Sequence, residues 1–256
     1  MNDIRKELAK QLYKAQENRK AIKPLSENKA LTIEDAYQIQ LENRNRFVGE
    51  GRILSGKKIG LTSLAMQDLF GVREPDYGHI FLDTYFKKEV DCSVFIQPKV
   101  EGEIAFVLKE DLIGPNVTSE EVLEKTDYVV AALEIVDSRI ENWKIKLIDT
   151  VADNASFGGY CLGSIRLESS VCSPKTLQMD FYKNGKKINS GKGEDVLGDP
   201  AFCVAWLANK MSTFGIPLKK GEIVLSGAFS AALPAEKGDI FEAKFTQLGS
   251  VLCQFK

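Results

Sequence analysis

Gln97-Pro-Lys-Val-Glu101-Gly-Glu103-Ile-Ala-Phe-Val-Leu108 is the stretch on which the reading of this 256-residue chain turns. Its apolar second half, with Ile, Phe and Val, predicts a strand, and residues two apart on a strand share a face. Glu101 and Glu103 therefore stand side by side, in line with Ala105 and Val107. Two like charges on an apolar face repel each other and lose hydration, so a cation or a proton must compensate them. Glu134 occupies a similar setting, interrupting the apolar run Val129-Val-Ala-Ala-Leu-Glu134-Ile-Val136. Three inward carboxylates without a soft partner suit a hard divalent cation, Mg2+ or equally Mn2+. A single strand glutamate ordinarily faces solvent or pairs with a basic residue, so Glu-x-Glu alone is weak evidence. Glu134 strengthens the metal reading without settling it.

Outward from this segment, the chain from Ser55 onward is a series of short β-like runs broken by Gly, Asp and Pro. Examples are Gly221-Glu-Ile-Val-Leu225 and Asp239-Ile-Phe-Glu-Ala-Lys-Phe245. Two helices interrupt them. One is capped by Thr118 with Glu121; the other has Asp199 at its cap, Pro200 in its first turn and Gly215 at its end. The first fifty residues read as helical. Ile4, Leu8, Leu12 and Ala15 mark one apolar face, and a second helix starts at Thr32 with Asp35 reaching back to the cap. Without regular βαβ alternation, the expected class is α+β, strand-rich with a helical N-terminal part. The boundary falls between about 50 and 80; it is drawn as 1–70 and 71–256.

Hydrophobic residues at 44% allow a substantial core. The net charge of -2, with no basic stripe, argues against nucleic acid as a partner. No apolar run approaches the roughly 20 residues of a membrane-spanning helix, and the charged N-terminal stretch lacks a signal core. Five widely spaced cysteines without a CxxC read as free buried thiols, so a cytoplasmic location is expected.

Ser55-Gly-Lys57-Lys58-Ile-Gly60-Leu-Thr62 puts two lysines beside glycines but lacks the phosphate-loop pattern. A lysine drawn near a metal site can move protons, although most lysines are solvated surface groups. Asp149-Thr-Val-Ala-Asp153-Asn154-Ala-Ser156-Phe-Gly158-Gly159 reads as a functional loop more than as a strand. His79 is the single histidine; a histidine-based metal site is excluded by that count, and no GxSxG elbow supports a triad. His79 reads as a loop residue near the site.

Taken in order, Gly56-Lys57-Lys58-Ile-Gly60-Leu-Thr62, Gly71-Val-Arg-Glu-Pro-Asp76-Tyr-Gly78, Glu101-Gly-Glu103-Ile-Ala, Glu134-Ile-Val-Asp137-Ser-Arg139-Ile and Asp149-Thr-Val-Ala-Asp153-Asn154-Ala-Ser156 resemble the fumarylacetoacetase superfamily. Leu197-Gly198-Asp-Pro200, Leu225-Ser226-Gly227 and Leu248-Gly-Ser250 extend the match over essentially the whole chain. Within it, the motifs look most like the 2-oxopent-4-enoate hydratase branch. The resemblance implies a fumarylacetoacetase-like roll, with Glu101, Glu103 and Glu134 as metal ligands and Lys58 and Asp76 as catalytic residues. It puts Lys57, Ser156 and Ser226 against the substrate, a small 2-oxo or 2-hydroxy acid. It further implies a homo-oligomer, with a sister decarboxylase as a potential partner. The expected reaction is hydration of 2-hydroxypenta-2,4-dienoate in aromatic meta-cleavage catabolism. A 2-oxo-3-hexenedioate decarboxylase is the alternative, followed by an acylpyruvate-type carbon–carbon hydrolase. The decarboxylase would need a further cation for its second carboxylate, and Arg139 or Lys146 could supply one.

Overall fold

The computed structural model describes residues 2–27 and 30–256. Helix α1 (Asn2–Asn18) packs on α2 (Ile33–Gly49), whose start is fixed by a capping box. The Asp35 amide donates to Thr32 Oγ1 at 3.3 Å, and the Thr32 amide donates to Asp35 Oδ2 at 2.9 Å. Leu12 and Ala15 of the expected apolar face are buried and Leu8 packs partly buried against the core, but Ile4 is 46% exposed, so that face enters the core from Leu8 onward.

The remaining elements, in chain order, are β1 (Leu54–Gly60), α3 (Leu64–Phe70), β2 (Asp76–Phe81), β3 (Glu89–Val90), β4 (Pro98–Leu108), α4 (Ser119–Lys125) and β5 (Thr126–Asp137). They continue with α5 (Leu147–Ala152), β6 (Phe157–Glu168), β7 (Gln178–Lys183), β8 (Lys186–Lys192), α6 (Pro200–Ser212), β9 (Ile223–Leu225), β10 (Leu233–Pro234), β11 (Ile240–Phe245) and β12 (Gly249–Phe255). The expected caps of α4 and α6 are in place: the Glu121 amide donates to Thr118 Oγ1 and the Ala201 amide to Asp199 Oδ1. The Asp149–Gly159 segment, expected as a loop, is instead the end of α5, a short turn and the start of β6.

The strands form a seven-stranded sheet of order β2-β1-β9-β4-β5-β6, with β10 added beside β4, and a five-stranded sheet of order β3-β12-β11-β7-β8. The two sheets pack face to face. Ile104, Phe106, Leu133 and Ile135 of the larger share one buried cluster with Phe181, Phe241, Ala243 and Phe255 of the smaller. Gly102 explains how closely they meet, since a Cβ there would run into Met179 Sδ and lie 3.3 Å from the Ala243 methyl. Strand alternation then sends Glu101 and Glu103 to the opposite face of the larger sheet, away from the smaller. That face also carries Ala105, Val130, Ala132 and Leu225. The helical layer is tied on by Gln40, whose Nε2 donates to the carbonyls of Tyr77 on β2 and Val151 on α5, both at 2.9 Å.

Candidate metal and proton-transfer site

Antiparallel pairing of β4 with β5 sets Glu101 directly opposite Glu134. Glu103 lies two residues along the same face, so the three carboxylates form a compact triangle. One oxygen from each lies within 4.8 Å of the others. Glu103 and Glu134 are fully buried, and Glu101 is half-buried at the edge of the cluster. Both Glu134 oxygens and Glu103 Oε1 lack a hydrogen-bond donor among the described residues. Glu103 Oε2 accepts from the Gly227 amide at 2.9 Å. Shielded carboxylate oxygens without donors are costly in a dry interior. A small divalent cation would satisfy them, and the hard oxygen donors suit it. Without it, burial pushes all three carboxyls upward, and repulsion from neighbouring glutamates adds to it for Glu101, raised to about 8, and for Glu103, raised well above the usual range.

Lys58 reaches the same face from β1. It pairs with Leu225 of β9, which pairs with Ala105 of β4, so the lysine lies in the row next to Glu103. Lys58 Nζ is 3.0 Å from Glu134 Oε1, an ion pair by distance though out of line for a hydrogen bond, and donates to the Ala155 carbonyl at 3.0 Å. Burial alone would pull its pKa down. The surrounding carboxylates, Glu134 foremost, outweigh that and hold the ammonium above the ordinary lysine range. Asp76 stands opposite Gly60 on β2, on the face shared with Lys58. It is buried, its Oδ1 has no partner among the described residues, and burial raises its pKa. Its Oδ2 receives a long contact from Thr150 Oγ1 at 3.5 Å.

Ser156 follows Ala155 and is buried, with its hydroxyl unpartnered among the described residues. Ser226 is buried beside the Glu103 anchor, but its hydroxyl is engaged by the Ile104 carbonyl at 3.2 Å. Lys57 is not brought to this cluster. One residue out of phase with Lys58, it faces the other side of β1 and binds Glu222 through both carboxylate oxygens at 2.6 and 2.7 Å. His79 is a strand residue and not a loop residue. It sits opposite Lys57, turned from the carboxylates, and burial drives its pKa down to about 3. Arg139 and Lys146, the two candidate cations for a second substrate carboxylate, are otherwise placed. Arg139 is buried and spends its guanidinium on Asp153 Oδ1 at 2.6 Å and on the carbonyls of Asp137, Asp153 and Phe157. Lys146 is exposed beyond the start of α5.

Sequence reasoning gave no role to two backbone groups at the centre of this arrangement, the Ala155 carbonyl and the Gly227 amide. The turn that presents the first is unusual: Asn154, Ala155 and Ser156 all have positive φ, at 57°, 50° and 53°. Only the asparagine, which tolerates that conformation, offered any signal.

Lys57→Met is expected to keep turnover within about threefold while destabilising the protein by about 2 kcal/mol. The loss reflects Glu222 losing a charged hydrogen-bond donor. Steady-state rates and denaturant unfolding of the same preparation check both halves.

The fumarylacetoacetate (FAA) hydrolase C-terminal family model matches residues 89–256. The 2-keto-4-pentenoate hydratase of Paraburkholderia xenovorans (strain LB400) is 44% identical over 255 residues, covering 98% of this chain and 95% of that protein. The 2-hydroxyhexa-2,4-dienoate hydratase of Comamonas testosteroni is 43% identical over 251 residues, covering 95% and 94%. Among solved structures, 4-oxalocrotonate decarboxylase from Pseudomonas putida G7, complexed with magnesium and adipate, superposes with a TM-score of 0.97 at 34% identity, covering 100% of this chain and 98% of that one. With the motifs in order along the chain and the fold matched throughout, the chain belongs to the fumarylacetoacetate hydrolase family, in its 2-keto-4-pentenoate hydratase branch.

Proposed function

We propose that this protein is a hydro-lyase that hydrates 2-hydroxypenta-2,4-dienoate, the enol of 2-oxopent-4-enoate, to 4-hydroxy-2-oxopentanoate. The carrying observation is the buried triangle of Glu101, Glu103 and Glu134 facing Lys58, in a chain 44% identical to a hydratase over nearly its full length. Glu101, Glu103 and Glu134 would hold a divalent cation, taken here as Mg2+ or Mn2+. When bound, that ion supplies Lewis acidity at the substrate's C1 carboxylate and C2 oxygen. Lys58 Nζ is the group that gives a proton to C5 as the enol becomes the conjugated enone. Asp76, with its carboxyl pushed toward the protonated state, holds the proton lost from the C2 hydroxyl. Water then adds its hydroxyl at C4 and its proton at C3. Ser156, with a free buried hydroxyl, is a substrate contact in this reading; Ser226 supports Glu103 through the neighbouring Gly227 amide. We place the enzyme in the cytoplasm as a homo-oligomer able to associate with a sister decarboxylase; its five free cysteines fit that compartment.

A second reading, decarboxylation of 2-oxohex-3-enedioate, draws on the likeness to 4-oxalocrotonate decarboxylase. Against it, the identity is 34% where the hydratases reach 44%, and Arg139 is occupied by Asp153. The test is incubation of metal-stripped protein with 2-hydroxypenta-2,4-dienoate, with and without magnesium or manganese, following dienol absorbance and identifying the product. Metal-dependent 4-hydroxy-2-oxopentanoate supports hydration. No turnover, with carbon dioxide released from 2-oxohex-3-enedioate, moves the protein to decarboxylation.

A pH dependence follows from Glu101. Its carboxyl titrates at about 8 in the folded metal-free protein against an ordinary 4.5. Between those values the unfolded chain ionises while the folded one keeps its proton, so this group's contribution to stability is lost as pH rises. Glu101→Gln removes the penalty. Its metal-free melting temperature should equal that of the unsubstituted protein near pH 4.5 and exceed it increasingly toward pH 8. A constant difference across that window contradicts the placement of Glu101.

A further inference from the structure

The turn Asn154–Ser156 holds three successive residues in the left-handed region, each costing on the order of 1 kcal/mol for a side chain other than glycine. Such a turn persists only if its surroundings fix it. Its two ends are pinned by Arg139, which binds the Asp153 carboxylate and carbonyl on one side and the Phe157 carbonyl on the other. Its middle is pinned by Asn154. The Asn154 amide acts as a surrogate strand neighbour for His79: Oδ1 accepts from the His79 amide at 2.7 Å and Nδ2 donates to the His79 carbonyl at 2.9 Å. Packing alone does not lock this segment. Asp153, Asn154, Phe157 and Gly158 line a cavity of about 290 Å3 that contains none of the three glutamates, Lys58 or Asp76, so the turn has room to relax on that side.

What the turn delivers is the Ala155 carbonyl, 3.0 Å from Lys58 Nζ. An ammonium has three hydrogens. One meets this carbonyl; Glu134 Oε1, 3.0 Å away but out of line for a hydrogen bond, attracts the ammonium by charge, and no further partner is present among the described residues. The bond to the carbonyl together with the ion pair sets the orientation of the ammonium.

We infer that Asn154 is a positioning residue: by clamping the strained turn to β2 it sets the Ala155 carbonyl that aims the Lys58 ammonium into the site. This rests on the hydratase reading, in which Lys58 gives the proton. The Asn154 side chain hydrogen-bonds the His79 backbone and none of the three glutamates, Lys58 or Asp76, so it acts through the backbone of Ala155.

Asn154→Gly is the informative variant, because glycine accepts the positive φ and removes only the two clamp bonds. Asn154→Asp keeps the bond from the His79 amide and loses the donor, so it should fall between. We expect kcat of Asn154→Gly to drop about 10- to 100-fold, the penalty of a misplaced catalytic group. KM and magnesium affinity by calorimetry should stay within about twofold. Amide hydrogen exchange should quicken at His79 and across 153–157 and be unchanged elsewhere. Wild-type kcat in Asn154→Gly, or unchanged exchange at His79, overturns the inference, as does a parallel loss of metal affinity, which would make Asn154 merely structural. If Asn154→Gly does not fold, Asn154→Asp with wild-type kcat overturns it equally. If the unsubstituted enzyme does not hydrate the dienoate, the hydratase reading falls separately, and the exchange data still decide whether Asn154 holds the turn.

Discussion

Glu103→Gln is expected to abolish magnesium binding and to lower kcat/KM by about a thousandfold or more. Glu103 is fully buried, one oxygen is held by the Gly227 amide and the other has no donor among the described residues, so its free oxygen is directed by the fold. Glutamine keeps the shape and the Gly227 contact but offers no anionic ligand. Loss of Lewis acidity at the substrate oxygens removes the main electrostatic stabilisation of the developing enolate. Stability moves the other way. With a buried carboxyl whose ionisation costs stability replaced by a neutral amide, the metal-free variant should melt a few degrees higher than the unsubstituted protein, since 1 kcal/mol is worth roughly 2–4 °C in a chain of this size. Magnesium at a hundredfold excess over its Kd should stabilise the unsubstituted protein by about 2.7 kcal/mol and the variant not at all. Calorimetric melting with and without the ion reads both effects. A variant that keeps the magnesium-induced shift would remove Glu103 from the ligand set.

Lys58→Met has the second largest expected effect. A general acid contributes about 10²–10⁴-fold, so kcat should fall by that much. Magnesium affinity should hold or rise, because the ion no longer competes with the ammonium paired to Glu134. Without metal, breaking a buried ion pair leaves charge uncompensated, with about 3–5 kcal/mol at stake. That loss should be largest at high pH, where the glutamates cannot take up protons instead. Lys58→Arg should not restore turnover, since a planar guanidinium cannot take the place of a compact ammonium between Glu134 and the Ala155 carbonyl. Normal turnover in Lys58→Met, measured by loss of dienol absorbance, would show that another group moves the proton.

Much of this was legible before any coordinates. The two-residue period put Glu101 and Glu103 on one face, and the apolar run around Glu134 placed that carboxylate in the interior. Caps at Thr32, Thr118 and Asp199 were readable because a hydroxyl or carboxylate ahead of an apolar period has one common use. Strand register was not legible. Seventeen residues, including helix α4, separate β4 from β5, and nothing in their composition says that Glu101 falls opposite Glu134. A slip of one residue would have turned Glu134 to the other face. Lys57 and Lys58 posed the same problem of parity: they are adjacent in sequence, and the pairing of Lys58 with Leu225 is what puts it on the carboxylate face. The Asp149–Gly159 segment misled because its small and polar residues suggest a loop, whereas Thr150 and Val151 complete a helix and the two glycines lie inside β6. Gly102 carries no signal of its own in the sequence. Its meaning appeared only when Met179 and Ala243 were found against it.

That contact gives the carboxylate triangle a mechanical foundation on its far side. Strand β4 rests through Gly102 on Met179 and Ala243 of the smaller sheet, so the spacing of Glu101 and Glu103 is set in part by side chains on the far side of the sheet from the carboxylates. The interior is packed too tightly to absorb a change in volume there without moving the strand. If the triangle holds a divalent ion as proposed, the size of ion it best embraces can be retuned from behind the sheet, at Met179, with all three glutamates left in place.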